Sequence, residues 1–434
     1  FSCYIWNLDY VEQLMDEYHK ICPEVPIWVG GPEVSYETEA FLKEHPQVTG
    51  VMVGEGEETF LELCESYAKA GIGEMAEKMN LSGIKGIMYR AGEGLVKTGA
   101  REPLDLNRIP FCYGGVEDFR NRIIYYESSR GCPFRCSYCL SSVEKTLRFR
   151  DVERVKKELA FFLEQEVAQV KFVDRTFNCR HEHAMEIWKF LIEHDNGVTN
   201  FHFEISADLL TDEEIALIGQ MRPGLIQLEI GVQSTNDTTI TEIHRTMQLD
   251  RLKAVVRSIQ EKENIHEHLD LIAGLPYEGY ETFARSFDEI YALKPNQLQL
   301  GFLKVLKGSY MYEHATEYGL IYRSRPPYEV LKTNWLGFGE ILRIRQVEEI
   351  LEVYYNSGQY ATAIRLLETQ YASAFAMFAE LGTFYEEHGY FGMGHSRMRR
   401  AEILLEFAKE RKPGLLPVLG EGLVYDLYER ENLG

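Results

Sequence analysis

Three cysteines stand close together in the run Ser128-Ser129-Arg130-Gly131-Cys132-Pro133-Phe134-Arg135-Cys136-Ser137-Tyr138-Cys139, a C-x3-C-x2-C spacing. Three thiolates on one tight loop can hold three irons of a [4Fe–4S] cube and leave the fourth iron open, whereas four cysteines close the cluster. An open iron is a reaction site, because a small molecule can chelate it. Zinc is the competing reading. A structural zinc wants four ligands, usually in two paired turns, and the chain has no second C-x-x-C. The other cysteines, Cys3, Cys22, Cys64, Cys112 and Cys179, are scattered singly. Core packing is the default for each, since free cysteine is among the most buried residue types. The run His181-Glu182-His183 lacks the i, i+4 spacing of a helical metal pair and reads as a helix start.

The elements that must position these thiolates are legible around them. The loop follows an apolar, aromatic strand, Ile123-Ile124-Tyr125-Tyr126. From there to about residue 305 the pattern alternates. Strands are expected at 123–128, 169–173, 201–206, 225–231, 267–272 and 296–303. Amphipathic helices are expected from Val152 to Leu163, Ala184 to Ile192, Glu213 to Met221, Leu252 to Gln260 and Phe283 to Leu293. Such units imply parallel strands joined by right-handed crossovers. Six are too few to close an eight-stranded barrel, so a partial barrel with an open side is expected. Its chemistry belongs at the carboxyl ends of the strands. Polar residues fall there: Asp174 after the second strand, Glu204 on the third, Gln233 ending the fourth, Arg245 on the helix that follows, and Asp270 on the fifth, before the turn Gly274-Leu275-Pro276.

Residues 1–90 also alternate strands and helices. Leu8, Val11, Leu14, Met15 and Tyr18 share one helical face. Two short strands end in glycine turns, Gly30-Gly31-Pro32 and Gly54-Glu55-Gly56-Glu57. Glycines at such strand ends are where open α/β sheets bind ligands, though a tight turn needs them in any case. Glycines and prolines then mark a linker over 91–120. The barrel is expected over 121–307 and a mostly helical, tyrosine-rich extension over 308–434. The class is therefore α/β: a truncated Rossmann-like domain, a partial (β/α)6 barrel and a helical C-terminal region.

In the 434 residues, 46 lysines and arginines face 68 aspartates and glutamates, a formal net charge of −22. So acidic a surface disfavours nucleic-acid binding, which needs cations to neutralise phosphates. Arg397, Arg399 and Arg400 read as a solvated helix face. No apolar run approaches the roughly 20 residues of a membrane span. Cysteines without a disulfide-like pattern suit a reducing compartment, which places the protein in the cytoplasm. The chain begins with Phe1 in what reads as a strand entered from upstream, as a piece of a longer protein would.

The cysteine spacing, with Tyr138 before the last cysteine, resembles the signature of the radical S-adenosylmethionine (radical SAM) enzymes. In that family the methionine end of SAM chelates the open iron of the cluster at, here, Cys132, Cys136 and Cys139. One electron then cleaves SAM to a 5′-deoxyadenosyl radical. The ordered set Glu204, Gln233, Arg245 and Asp270 is similar to elements of the coproporphyrinogen-oxidase-like and methylthiotransferase-like members. That resemblance implies Gln233 and Asp270 on the ribose, Arg245 on the carboxylate, and Glu204 at the amino-acid end or ribose. It also implies Asp174 near the SAM amino group and Tyr138 near the adenine.

Pro26-Ile27-Trp28-Val29-Gly30-Gly31-Pro32 with Val53-Gly54-Glu55-Gly56-Glu57 resembles the second half of a cobalamin-binding domain. It implies cobalamin contacts at Gly30, Gly31, Gly54 and Gly56. The sequence departs from that family in lacking an Asp-x-His-x-x-Gly element, whose histidine can ligate cobalt. The whole arrangement resembles the cobalamin-dependent group that includes anaerobic magnesium-protoporphyrin ester cyclases. It implies a small-molecule or otherwise unidentified substrate and an electron donor such as flavodoxin or ferredoxin. A tRNA-modifying methylthiotransferase would normally show a basic RNA-binding module and a second cysteine trio. A non-catalytic iron–sulfur or cobalamin carrier would have no need of a SAM pocket.

Overall fold

The structure, a computed structural model, describes residues 1–70, 81–115, 122–143 and 146–431. Its N-terminal part is a four-stranded sheet in the order β1 (Trp28–Gly30), β2 (Gly50–Met52), β3 (Ile87–Ala91), β4 (Gly94–Lys97). β1 and β2 run parallel, while β3 and β4 form an antiparallel hairpin added to β2. The expected boundary at residue 90 falls inside this hairpin, and β4 occupies a stretch assigned to the linker. The expected opening strand is reduced to one parallel bridge, Ser2 to Gly30.

Helices α1 (Leu8–Ile21), α2 (Pro32–Ser35), α3 (Thr38–Glu44) and α4 (Glu57–Ala70) accompany this sheet. α1 buries Leu8, Val11 and Met15 against Val29 and Val51, but Leu14 and Tyr18, expected on the same face, are exposed.

The second sheet has six strands: β5 (Ile124–Tyr126), β8 (Gln169–Phe172), β9 (Asn200–Ile205), β10 (Ile226–Gln233), β11 (His266–Ala273) and β12 (Gln297–Phe302). A two-residue pair, β6 (Ser129–Arg130) and β7 (Arg148–Phe149), brackets the cysteine loop. The six strands lie in sequential order, every pair parallel, with β5 and β12 at the edges. Helices α5 (Val152–Glu164), α6 (His181–Glu193), α7 (Asp212–Ile218), α8 (Asp237–Glu242), α9 (Leu249–Gln260) and α10 (Tyr280–Tyr291) fall between them.

Period-two alternation sorts the side chains of these strands. Leu228, Ile230, Val232, Leu269 and Leu271 are buried in the apolar core. The alternate residues on the other face are polar: Lys171, His202, Glu204, Glu229, Gln233, His268 and Asp270. A sheet polar on its inner face and apolar outside is built to hold a polar ligand at its centre.

The C-terminal region contains α11 (Tyr310–Glu313), a small pair β13 (Ile321–Tyr322) and β14 (Val330–Lys332), and helices α12 (Phe338–Leu351), α13 (Ala361–Glu368), α14 (Ala374–Glu387), α15 (Arg397–Arg411) and α16 (Leu416–Glu431). It lies along the β12 edge. The Asn356 amide accepts from the Leu298 N–H at 3.0 Å and donates to the Leu298 carbonyl at 2.9 Å, occupying both backbone groups that an edge strand leaves open. Asp288 of α10 accepts from Ser373 Oγ at 2.6 Å and from the Phe375 N–H at 2.7 Å, which fixes the start of α14. No described helix is long and apolar enough to cross a membrane.

Candidate functional site

The cysteine loop leaves the top of the first barrel strand, as the strand-end rule requires. Its neck is the pair Ser129↔Phe149 and Arg130↔Arg148. Gly131, at φ +97, lets the chain turn where a Cβ would stand 2.5 Å from the Thr146 carbonyl oxygen. The middle of the loop is tied to the barrel through the Ser137 N–H to the Ile243 carbonyl and to the C-terminal region through the Met311 N–H to the Ser137 carbonyl, each at 2.9 Å. All three cysteines are free thiols: Cys136 is buried, Cys132 and Cys139 partly so. Burial pushes the Cys136 thiol up against the opposing charge of Arg245. A bound cluster would hold these sulfurs as thiolates, so that nearby cation favours the form it needs.

Arg245 is the hub. Its Nη1 lies 3.9 Å from Cys136 Sγ and 3.5 Å from the Tyr138 hydroxyl, and its Nη2 donates to the Gly231 carbonyl. The sequence placed it on a helix, but α8 ends at Glu242 and Arg245 stands in the loop before α9. The cause is His244, which turns left-handed (φ 54), while the Arg245 N–H reaches back to the Ile240 carbonyl at 3.1 Å. That exit turns Arg245 toward the cysteine loop.

At the end of β10 the register against β11 slips between Gly231 and Gln233. Gln233 itself has φ 74. A left-handed residue with a Cβ is strained by about 1–3 kcal/mol, and such strain collects at functional sites. A Cβ on Gly231 would stand 2.3 Å from Gln233 Nε2 and 3.5 Å from Arg245 Nη2, so the glycine makes room for both side chains. Gln233 Oε1 and Arg245 Nε are buried with no hydrogen-bond partner among the described residues. Buried polar atoms are normally paired. A polar ligand offering a hydroxyl to the amide oxygen and an acceptor to the guanidinium would complete both.

Below this lies the polar inner face. Lys171 Nζ and His202 Nε2 lie 3.0 and 2.9 Å from Glu229 Oε2. Burial would raise the Glu229 pKa, but His202 and Lys171 outweigh it and hold the carboxyl at about 2. Glu204 goes the other way. Burial and the Glu229 charge push it up to about 7, opposed by Arg175 and Lys171. Asp270, 3.1 Å from His268 Nε2, is also raised by burial, with His268 opposing. One face thus carries carboxylates of opposite tendency, able to donate as well as accept near neutral pH.

Asp174 is not part of this set. It is wholly buried and accepts from the Ser128 N–H (2.9 Å), Ser128 Oγ (2.6 Å) and Ser129 Oγ (2.6 Å). Its side chain therefore braces the root of the cysteine loop. Ser128 Oγ is also 3.0 Å from His183 Nε2 at the start of α6. Sequence reasoning chose Asp174 over its neighbour Arg175, whose charge reaches Glu204. It also passed over Lys171, His202, Glu229 and His268, although their alternation with apolar residues was the available signal.

The N-terminal glycines divide. A Cβ on Gly31 would stand 2.4 Å from the Cys3 carbonyl oxygen, and one on Gly30 3.3 Å from Met52, so both are explained by the chain's own packing. Gly54 (φ +83) and Gly56 face open space. Between them Glu55 turns to the barrel. Burial would raise its pKa, but hydrogen bonds from Arg148, the Leu104 backbone and Arg130 hold it at about 2.

Residues 126–290 match the radical SAM superfamily, residues 1–64 a B12-binding domain, and residues 316–434 a family described only as a protein of unknown function, DUF4080. The chain is 27% identical over 304 residues to the cobalamin-dependent radical SAM methyltransferase TokK of Streptomyces tokunonensis, covering 65% of this chain and 43% of that protein. It is 24% identical over 287 residues to the anaerobic magnesium-protoporphyrin IX monomethyl ester cyclase of Rubrivivax gelatinosus, covering 64% and 50%. The chain thus spans about half or less of the length of these relatives.

Among solved structures it shares its fold with the cobalamin-dependent radical SAM enzyme OxsB (TM-score 0.63, 15% identity, 99% of this chain and 71% of that one). The radical SAM methyltransferase TsrM of Kitasatospora setae has the same fold (TM-score 0.60, 16% identity, 73% and 63%). The chain carries radical SAM and B12-binding domains, joined to a helical C-terminal region.

Proposed function

We propose that this protein is a radical SAM enzyme that uses a [4Fe–4S] cluster, SAM and cobalamin on a small-molecule substrate. The observation that carries the reading is the convergence of Cys136, Tyr138, Arg245 and Gln233, with Gln233 Oε1 and Arg245 Nε left unsatisfied. When bound, the cluster supplies the electron that cleaves SAM to methionine and a 5′-deoxyadenosyl radical, which takes a hydrogen atom from the substrate.

The residues of this chain do the holding. Cys132, Cys136 and Cys139 would ligate three irons. Arg245 offers a planar fork to the SAM carboxylate, and Asp270 with Gln233 offers acceptors and an amide to the ribose diol. Tyr138 would line the adenine, and Glu204 the amino-acid end or ribose. Gly54 and Gly56 leave space on the B12-binding domain for cobalamin. Electrons would come from a flavodoxin- or ferredoxin-type donor in the cytoplasm, and the outcome would be methyl transfer or cyclisation.

The test is 5′-deoxyadenosine formation by anaerobically reconstituted protein given SAM and a strong reductant, beside Cys136→Ala. Product from the wild type alone supports the reading. A fully loaded cluster with no SAM affinity would replace it with a carrier.

A further inference from the structure

The neck of the cysteine loop contains an electrostatic conflict. Arg130 and Arg148 stand directly opposite each other in the two-residue ladder of β6 and β7. Like charges at paired positions repel and work against the ladder. The conflict is resolved from a different domain. Glu55 Oε1 accepts from Arg130 Nη1 and Arg148 Nη2, both at 2.7 Å. Glu55 Oε2 accepts from Arg148 Nη1 at 3.0 Å and from the Leu104 N–H at 2.7 Å. Arg148 Nη1 also donates to the Leu104 carbonyl at 2.7 Å. Arg130 is held further by Glu57 (2.7 Å) and Glu127 (2.8 and 2.9 Å).

The side chains of Arg130, Arg148 and Glu55 are only 21, 13 and 18% exposed, so solvent screens little of this. A plain inter-domain salt bridge would explain one of these contacts. It does not explain one carboxylate bridging two facing arginines at the base of the loop that carries all three cysteines, two residues before the first of them.

We infer that Glu55 is a positioning residue for the three cysteines. Through it, docking of the N-terminal domain sets the shape and the charge of the cluster site. Withdrawing Glu55 removes the carboxylate that bridges the two facing arginines, so their repulsion across the ladder rises and the loop splays. It also makes the neck one charge unit less negative, which favours the more negative, reduced state of the cluster. The inference rests on the cluster reading above, and it names Glu55 of the B12-binding domain as a residue acting on the other domain's cofactor.

The test compares reconstituted wild type, Glu55→Gln, Glu55→Asp and the double variant Glu55→Gln/Arg148→Gln. Iron and sulfide content, the rate of iron loss to a chelator and the cluster's midpoint potential by EPR-monitored titration are measured on each. Removing one partner of a buried pair is strongly destabilising, so Glu55→Gln should lose iron about tenfold faster or more, with its potential moved positive. Glu55→Asp should recover part of both. The double variant, with the facing charge removed, should return the loss rate toward wild type. Wild-type loss rate and potential in Glu55→Gln would overturn the inference. So would a double variant as labile as Glu55→Gln when both melt like the wild type. A wild-type chain that takes up no cluster would sink the underlying reading instead, which separates the two failures.

Discussion

Glu267 shows how much one side chain's direction decides. It sits on β11 one residue before His268, and the period of two sends it to the opposite face, among Leu269 and Leu271. There it is wholly buried, and neither carboxyl oxygen has a hydrogen-bond partner within geometric reach among the described residues. Burial pushes its pKa up from 4.5 to about 8, with the nearby Gln260 amide opposing. The native state therefore keeps a proton that the unfolded chain has released at any pH between those two values. More protons bound in the native state means stability falls as pH rises through that window. Glu278 and Glu204, both raised to about 7 mainly by burial, add to the same slope. Glu267→Gln keeps the volume and removes the ionisation. Thermal melts at about pH 5.5 and pH 8.5 should show wild type losing stability between them and the variant losing less. The gain should reach a few kcal/mol at the higher pH, since each tenfold change in proton affinity is worth about 1.4 kcal/mol. Equal losses would mean that the carboxyl finds water or a partner. The same limit on direction explains Asp174. Its type and place after β8 fit a ligand contact as well as a brace, and only the fold shows Ser128 and Ser129 filling its oxygens.

At the scale of elements, the barrel strands were legible because apolar residues recur with a period of two through β8, β9, β10 and β12. Expected strand limits fall within a few residues of β5 and β8–β12. What was not legible was the way helices end. Nothing in Ile243-His244-Arg245 distinguishes a continuing turn from the left-handed exit at His244 that aims Arg245 at Cys136. Edge protection was equally hidden, because Asn356 lies 58 residues along the chain from the Leu298 it pairs. That pairing gives the C-terminal region a mechanical role, in which it substitutes for the strand a closed barrel would place beside β12. Asn356→Ala removes both hydrogen bonds and leaves an N–H and a C=O open on an edge. The expected loss is about 1–3 kcal/mol. Amide hydrogen exchange should quicken at Leu298, and concentration-dependent association should increase as the edge seeks another strand. Unchanged exchange at Leu298 would show that water or a neighbouring segment replaces the amide.

At the scale of the whole molecule, contacts between the N-terminal domain and the C-terminal region join residues far apart in sequence, which is why no local pattern announced them. Tyr328 donates to Glu33 at 2.8 Å across 295 residues, and Tyr312 to Glu37 at 2.6 Å across 275. Lys307 pairs with Glu37 at 3.1 Å. Beside them Gly308 has φ +83, and a Cβ there would stand 2.1 Å from the Tyr36 ring. Gly308→Ala therefore adds about 1–2 kcal/mol of left-handed strain to a collision with the Tyr36 ring of the N-terminal domain. Two variants separate these effects. In Gly308→Ala the domain should come away, seen as faster amide exchange over residues 31–37 and easier proteolysis of the linker around 98–105. In Gly308→Ala/Tyr36→Ala the strain persists but the collision is gone, so protection should return. If the double variant stays as open as the single one, backbone strain rather than the ring governs docking. If Gly308→Ala remains protected, the ring yields and the surface is softer than its packing implies. Either way the exchange rates of Gly131 and Leu147 at the neck of the cysteine loop are the informative companions. Glu55 reaches Arg130 and Arg148 only while the domain is seated. A domain that comes away should loosen the neck in the same experiment, without any change to the cysteines themselves.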